Sequence, residues 1–131
     1  MTLPFGPQLV GQTEKTLNAL LTKALAGTGL DERLWVTLRV SAQADGRPIH
    51  ERAADLARFA DAKQLVETLE WRGLVADEAP TDAGRALLEQ VLARSAALSG
   101  PIWDGIADAD AAARALTEVL SRARAALEAA A

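Results

Sequence analysis

The residue types that usually carry chemistry are scarce in this chain. His50 is the only histidine, and there is no cysteine among the 131 residues. A zinc site takes three or four nitrogen, sulfur or carboxylate ligands, and one histidine without thiolates is a poor start towards one. Carboxylates alone can hold magnesium or calcium. Asp104, Asp108 and Asp110, however, fall at helix boundaries, where capping is the simpler use of an aspartate. Ser41, Ser95, Ser99 and Ser121 lie inside helical patterns, and none sits in the Gly-x-Ser-x-Gly turn that exposes a nucleophilic serine. Gly27-Thr28-Gly29 lacks the following glycine and the preceding strand of a phosphate-cradling loop. The expectation is a binding protein rather than an enzyme, with no metal and no cofactor.

The elements that would carry a binding surface are helices. Half of the residues are hydrophobic and 24% are charged, which is a folded, globular balance. Twenty-nine alanines make strong helices but fill a core poorly, so a thin monomer core and burial against a second copy are expected. Gly6-Pro7 opens a first helix carrying Leu9, Leu17 and Leu21, and Gly27-Thr28-Gly29 stops it. Asp31 is placed to cap a second helix with Leu34, Trp35 and Leu38 on its apolar stripe. Pro48 starts a third, with Ile49, Ala53, Leu56 and Ala57 inward. Asp61 caps a fourth, with Leu65, Val66 and Leu69 inward and Gly73 as its stop. Leu74-Val75-Ala76 is the one strand the pattern supports. Thr81 then caps a long helix through Leu88 and Val91 to Leu98, with a kink or break expected at Gly100-Pro101. Asp108 or Asp110 caps the last helix, whose face is Leu116, Val119, Leu120, Ala123 and Leu127.

Met1-Thr2-Leu3-Pro4-Phe5 has no basic n-region and no long apolar stretch, so no signal peptide is expected. With no cysteine and no run of apolar residues long enough to span a membrane, a cytoplasmic location is expected. The net charge of −4 means that any basic surface must be local. Two short helices, a small strand region and a return into a helix between Pro48 and Ala83 are the parts of a winged helix-turn-helix. Spacing alone fits a helical bundle with a tight turn equally well.

Three stretches, in order, resemble the MarR family of bacterial regulators. Leu69-Glu70-Trp71-Arg72-Gly73-Leu74-Val75 resembles the Leu-Glu-x-Arg-Gly-Leu-Val that ends that family's recognition helix and starts its wing. Thr81-Asp82-Ala83-Gly84-Arg85-Ala86-Leu87-Leu88 resembles the Thr-x-x-Gly-x-x-Leu stretch that follows the wing. Leu30 to Val36 sits where the family's second helix begins. The likeness extends over nearly the whole chain in the order of its elements, and each motif alone is moderately specific.

The resemblance implies an all-α fold with at most one minimal β-hairpin, in a single domain over residues 1–131. A winged-helix-like lobe would occupy about residues 31–80, and terminal helices, about 1–27 and 81–131, would interleave with those of a second copy. Leu9, Leu17, Leu116, Leu120 and Leu127 would then lie in a homodimer interface. Double-stranded DNA is the implied partner, with Arg58, Ala62, Lys63, Gln64 and Thr68 at the groove and Gln64 able to pair with adenine. A small-molecule effector is also implied, and the aromatic candidates for its pocket are Trp35, His50, Phe59, Trp71 and Trp103.

The sequence departs from the family pattern in two places. Leu56 to Lys63 contains no glycine turn and could run on as one helix. The wing is reduced to Ala76-Asp77-Glu78-Ala79-Pro80, short for a normal hairpin and without the arginine of the family's Asp-x-Arg motif. From Asp45 to Arg85 six bases (Arg47, Arg52, Arg58, Lys63, Arg72 and Arg85) stand against nine acids, a net of −3. A phosphate-binding surface needs the opposite balance unless its bases cluster. Three readings therefore stay open: a dimeric DNA-binding regulator, a degenerate relative that keeps the dimer but binds a small molecule or protein instead, and a plain helical dimer with a structural role.

Overall fold

The computed structural model describes residues 2–43 and 45–131; Met1, part of the N-terminal stretch read above as no signal peptide, and Ala44 lie outside them. The described residues form six helices and one two-stranded antiparallel hairpin. The order is α1 (Pro7–Ala24), α2 (Glu32–Ser41), α3 (Ile49–Ala57), α4 (Ala62–Trp71), β1 (Val75–Ala76), β2 (Ala79–Pro80), α5 (Asp82–Trp103) and α6 (Ala109–Ala130). The expected α fold with one minimal hairpin is what the chain adopts. It divides into two compact units, one reaching to Pro101 and the other running from Ile102 to Ala131. No helix among the described residues is long and apolar enough to cross a membrane.

The first unit is built on α2, α3 and α4, which pack against one another. Asp31 caps α2 as expected, its Oδ1 accepting the Leu34 N–H at 2.8 Å and so satisfying one of the free donors of the first turn. Leu34, Trp35 and Leu38 of α2 meet Ile49 and Ala53 of α3 and Leu65, Val66 and Leu69 of α4 in one core, joined by Val75, Leu88 and Val91. Burying a leucine or isoleucine of this kind contributes roughly 1.5–3 kcal/mol relative to leaving it in water. Leu56 departs from the expected stripe: it is half exposed, while Ala57, the last residue of α3, packs against the core.

Helix α3 does not run on into α4. Arg58 takes a left-handed conformation (φ 59°, ψ 31°) and ends α3 without a glycine. The break lets Phe59 turn into the core, where it is buried. Asp61 sits at the N-cap position of α4 but makes no capping hydrogen bond, contrary to expectation. Its carboxylate is instead taken by Arg33.

The segment too short for a normal wing does form a hairpin. Val75 pairs with Pro80 and Ala76 with Ala79. Asp77 and Glu78 both have positive φ (53° and 62°), which makes a two-residue turn of the mirror-image kind that matches strand twist. Thr81 closes the hairpin and opens α5. Its hydroxyl donates to the Gly73 carbonyl at 2.6 Å and accepts the Gly84 N–H at 3.1 Å. Gly84 is required by packing rather than by φ, since a Cβ there would lie 2.1 Å from the Leu74 carbonyl oxygen. The Thr-x-x-Gly spacing thus locks the root of the hairpin to the first turn of α5.

Helix α5 continues through Pro101 and ends at Trp103, so the expected break comes after the proline, before Gly105 (φ 70°). In the second unit, Asp108 is the N-cap residue of α6 but makes no side-chain cap, and Asp110 lies in the first turn. Leu116, Val119, Leu120 and Leu127 are spaced along one face of α6 and are all exposed. Glu118 and Arg122 pair at 2.6 Å on the same helix.

Candidate nucleic-acid interface

Helix α4 has an inner and an outer side. Ala62, Leu65, Val66 and Leu69 are buried, and the three- and four-residue spacing leaves Lys63, Gln64, Glu67, Glu70 and Trp71 exposed. Lys63 and Gln64 therefore stand on the first exposed turn of the helix that follows a tight helix-turn, where a reading helix contacts bases and phosphates. Arg58 is exposed on the turn just before it. Among the described residues neither Arg58 nor Lys63 is engaged in an ion pair.

Two of the expected contacts change on this geometry. Ala62 is only 4% exposed and belongs to the core, so it has no surface to offer DNA. Helical spacing places it beside Lys63 in sequence but about 100° round the axis. Thr68 is half-buried, and its hydroxyl donates to the Gln64 carbonyl at 2.9 Å, as threonines inside helices commonly do.

The other bases of the lobe are mostly committed to the protein. Arg52 is 3% exposed, and its Nη1 donates to the Val40 carbonyl at 2.8 Å while its Nε donates to the Arg47 carbonyl at 3.1 Å. It also lies 3.3 Å from Asp45. Arg47 pairs with Asp45 at 2.9 Å and with Asp55 at 3.6 Å. The Arg47 side chain first, and then its backbone N–H, hydrogen-bond the Asp45 carboxylate and hold its pKa below the ordinary carboxylate value. Arg72 donates to the Gly29 carbonyl at 2.6 Å, and Arg85 pairs with Asp82 at 3.2 Å. Of the six bases counted in the sequence, Arg58 and Lys63 remain for an outside anion.

Residues that the sequence reading did not single out shape this surface. Arg33, on the first turn of α2, pairs with Asp61 and lies over the Phe59 ring, its guanidinium carbon 4.5 Å from the ring centroid. Glu78, at the hairpin tip, accepts the Ile49 N–H at 2.7 Å. Both partners are 28 or more residues away in sequence, beyond the reach of any local spacing signal.

Of the pocket candidates in the first unit, the structure brings Trp35 and Phe59 into one core but not His50 or Trp71. Trp35 and Phe59 are core residues, and His50 is half-buried on α3. Trp71 is 90% exposed at the end of α4, and Trp103 is exposed at the end of α5. A shallow depression of about 460 Å³ in the first unit is lined instead by α1–α2 residues, among them Thr22, Leu25, Gly29, Leu30 and Asp31. Of the interface candidates, Leu9 and Leu17 are half-buried on α1, while Leu116, Leu120 and Leu127 are exposed on α6.

No family model and no curated protein matches the chain. Solved structures do. CouR from Rhodococcus jostii RHA1, solved bound to p-coumaroyl-CoA, is 29% identical over 86% of each chain, with a TM-score of 0.68. A MarR-family transcriptional regulator from Rhodococcus sp. RHA1 is 28% identical, with a TM-score of 0.68 over 86% of this chain and 88% of that one. A MarR-family protein from Mycobacterium tuberculosis, in complex with p-aminosalicylic acid, is 22% identical, with a TM-score of 0.64 over 92% of this chain and 98% of that one. The chain has a MarR-like winged-helix fold: α3 and α4 are the helix-turn-helix, and β1–β2 is the wing.

Proposed function

We propose that the chain is a transcriptional regulator that binds double-stranded DNA as a homodimer. The observation that carries this is the outer first turn of α4, where Lys63 and Gln64 are exposed beside Arg58 on a fold shared with transcriptional regulators. Lys63 and Arg58 would neutralise phosphates, and the Gln64 amide has the donor and acceptor needed to pair with adenine in the major groove. The dimer would form through terminal helices. Leu116, Val119, Leu120 and Leu127 give α6 an apolar face that a single copy leaves in water, and exposed apolar patches of this kind mark association sites. Two reading helices one or more helical turns of DNA apart follow from such a dimer. A small-molecule effector is part of the proposal, by analogy with the ligands held by CouR and the mycobacterial protein.

A gel shift with the chain's own upstream region, and then with fragments of its genome, tests the reading. Salt-sensitive binding to a specific fragment supports it. Sedimentation at the same protein concentration must give a dimer, and a monomer that binds no fragment overturns both parts.

One observation favours a second reading, in which the dimer persists but DNA binding is lost. Glu67 and Glu70 are exposed on α4, the hairpin tip carries Asp77 and Glu78, and four of the six bases between Asp45 and Arg85 are occupied internally. In that case the module would serve a small molecule or a protein. A dimer with no affinity for any duplex at low salt is the result that selects it.

A further inference from the structure

The turn between α3 and α4 holds a carboxylate where an incoming phosphate would least tolerate one. Asp61 is the N-cap residue of α4, two positions before Lys63, and its side chain spends no hydrogen bond on the helix it precedes. Left alone, its charge would oppose both the Lys63 ammonium and the positive end of the helix dipole, the two features that draw a phosphate to a helix N-terminus. The side chain that meets it comes from another helix. Arg33 of α2 pairs with the Asp61 carboxylate and places its guanidinium over the ring of Phe59, the residue that carries the turn back into the core. One guanidinium therefore contacts both ends of the turn, through charge at Asp61 and through the ring face at Phe59.

Resting on the DNA-binding reading above, we propose that Arg33 is a positioning residue for the reading helix: it clamps the α3–α4 turn and cancels the Asp61 carboxylate at the point of phosphate approach. It acts through Asp61 and Phe59. The pair is about half exposed, so its contribution to global stability is small and its effect is local.

The two parts have separate readouts. Affinity is measured by fluorescence anisotropy on a duplex that the wild-type protein selects from a random-sequence pool. Arg33→Met is expected to weaken binding by about tenfold, the loss of a uniform electrostatic term. Asp61→Asn is expected to bind at least as tightly as wild type, and Arg33→Met/Asp61→Asn to bind within about twofold of Asp61→Asn, since the charge that needed cancelling is gone. Arg33→Lys, which keeps the charge, restores most of the affinity. Binding of Arg33→Met equal to wild type overturns the inference, and so does a double variant as weak as Arg33→Met, because Arg33 would then touch DNA itself. The clamp is read without DNA. Amide exchange at residues 65–68, the first hydrogen-bonded amides of α4, is faster in Arg33→Met than in wild type, while that of residues 35–38 is unchanged. If wild type selects no duplex, the DNA-binding reading fails, and exchange alone decides the clamp: unchanged rates at residues 65–68 overturn it.

Discussion

The Glu78 carboxylate, at the tip of the hairpin, accepts a hydrogen bond from the backbone N–H of Ile49 at 2.7 Å. Ile49 is the first residue of α3, and Pro48 before it has no side chain that can cap. The wing therefore supplies the cap that the helix lacks, from 29 residues away. It also places a negative charge at the positive end of the α3 dipole. The hairpin is thereby tied to its own lobe. In this chain the wing's acidic tip is structural, which accounts for part of the unfavourable charge count without recourse to DNA.

Glu78→Ala is expected to cost about 1 kcal/mol of stability, in the range of a lost helix cap. The urea midpoint measures it. Glu78→Gln retains the acceptor but not the charge and is expected to recover more than half of the loss. Equal losses in the two variants would show that the charge, and not the hydrogen bond, carries the effect. No loss in either would mean that the contact contributes nothing in solution.

Gly84→Ala is expected to be among the most damaging single-methyl changes in the chain. The added Cβ would meet the Leu74 carbonyl oxygen at 2.1 Å and the Pro80 Cβ at 3.3 Å, and the first of these is backbone that cannot swing aside. To relieve the clash, α5 must move away from the hairpin root and break the Thr81 hydroxyl bridge between Gly73 and Gly84. A loss above about 2 kcal/mol is expected, outweighing the fraction of a kcal/mol by which alanine normally improves a helix. A midpoint at or above wild type would show that the hairpin is not packed this tightly.

These two contacts also show how far the sequence could be read. The Asp31 and Thr81 caps were legible because a cap acts within three residues of itself, and the bonds to Leu34 and Gly84 are of that kind. The Leu65, Val66 and Leu69 stripe was legible from helical spacing. The break between Ala57 and Asp61 was only half legible, open beside a continuous helix, because an arginine in the left-handed region carries no turn signature. The hairpin turn at Asp77-Glu78 was hidden in the same way, since such turns are signalled by Asn-Gly or Asp-Gly. Arg52 entered the charge count beside the other bases because burial of its guanidinium depends on the Val40 carbonyl, 12 residues away. Ala62 was assigned to the wrong side of α4 for want of the helix's starting angle, which the Arg58 break fixes.

The Asp45–Arg47–Arg52 cluster predicts a dependence of stability on acid. Hydrogen bonds from Arg47 lower the folded-state pKa of Asp45. A carboxylate depressed in the folded state binds fewer protons there than in the unfolded chain. Its contribution is therefore present above the unfolded carboxylate pKa and lost as pH falls through the folded one. Wild type should lose stability on acidification through the carboxylate range, and Asp45→Asn should lose less over the same interval while being less stable at neutral pH. Parallel pH profiles for the two proteins would remove Asp45 from the cause. Arg52→Met, which strips the buried partner of the Val40 carbonyl, should cost about 2 kcal/mol at neutral pH.

Lys63 and Glu67 lie one helical turn apart on the outer side of α4, and their substitution should move DNA affinity in opposite directions. Lys63→Ala removes a phosphate partner. Its affinity should fall by a similar factor on specific and non-specific duplexes, and the slope of log K against log salt should become shallower by about 1. Glu67→Gln removes a repulsive charge from the same face and should tighten binding on both, without touching the core residues Leu65, Val66 and Leu69. Neither change should alter the melting temperature by more than a degree or two, because both side chains are in solvent. Anisotropy titrations over a salt series measure the slopes. A Lys63→Ala slope equal to wild type would place the phosphate elsewhere, with Arg58 the next candidate. Tightening by Glu67→Gln together with an unchanged slope in Lys63→Ala would mean that the negative face of α4 matters to DNA and its one lysine does not.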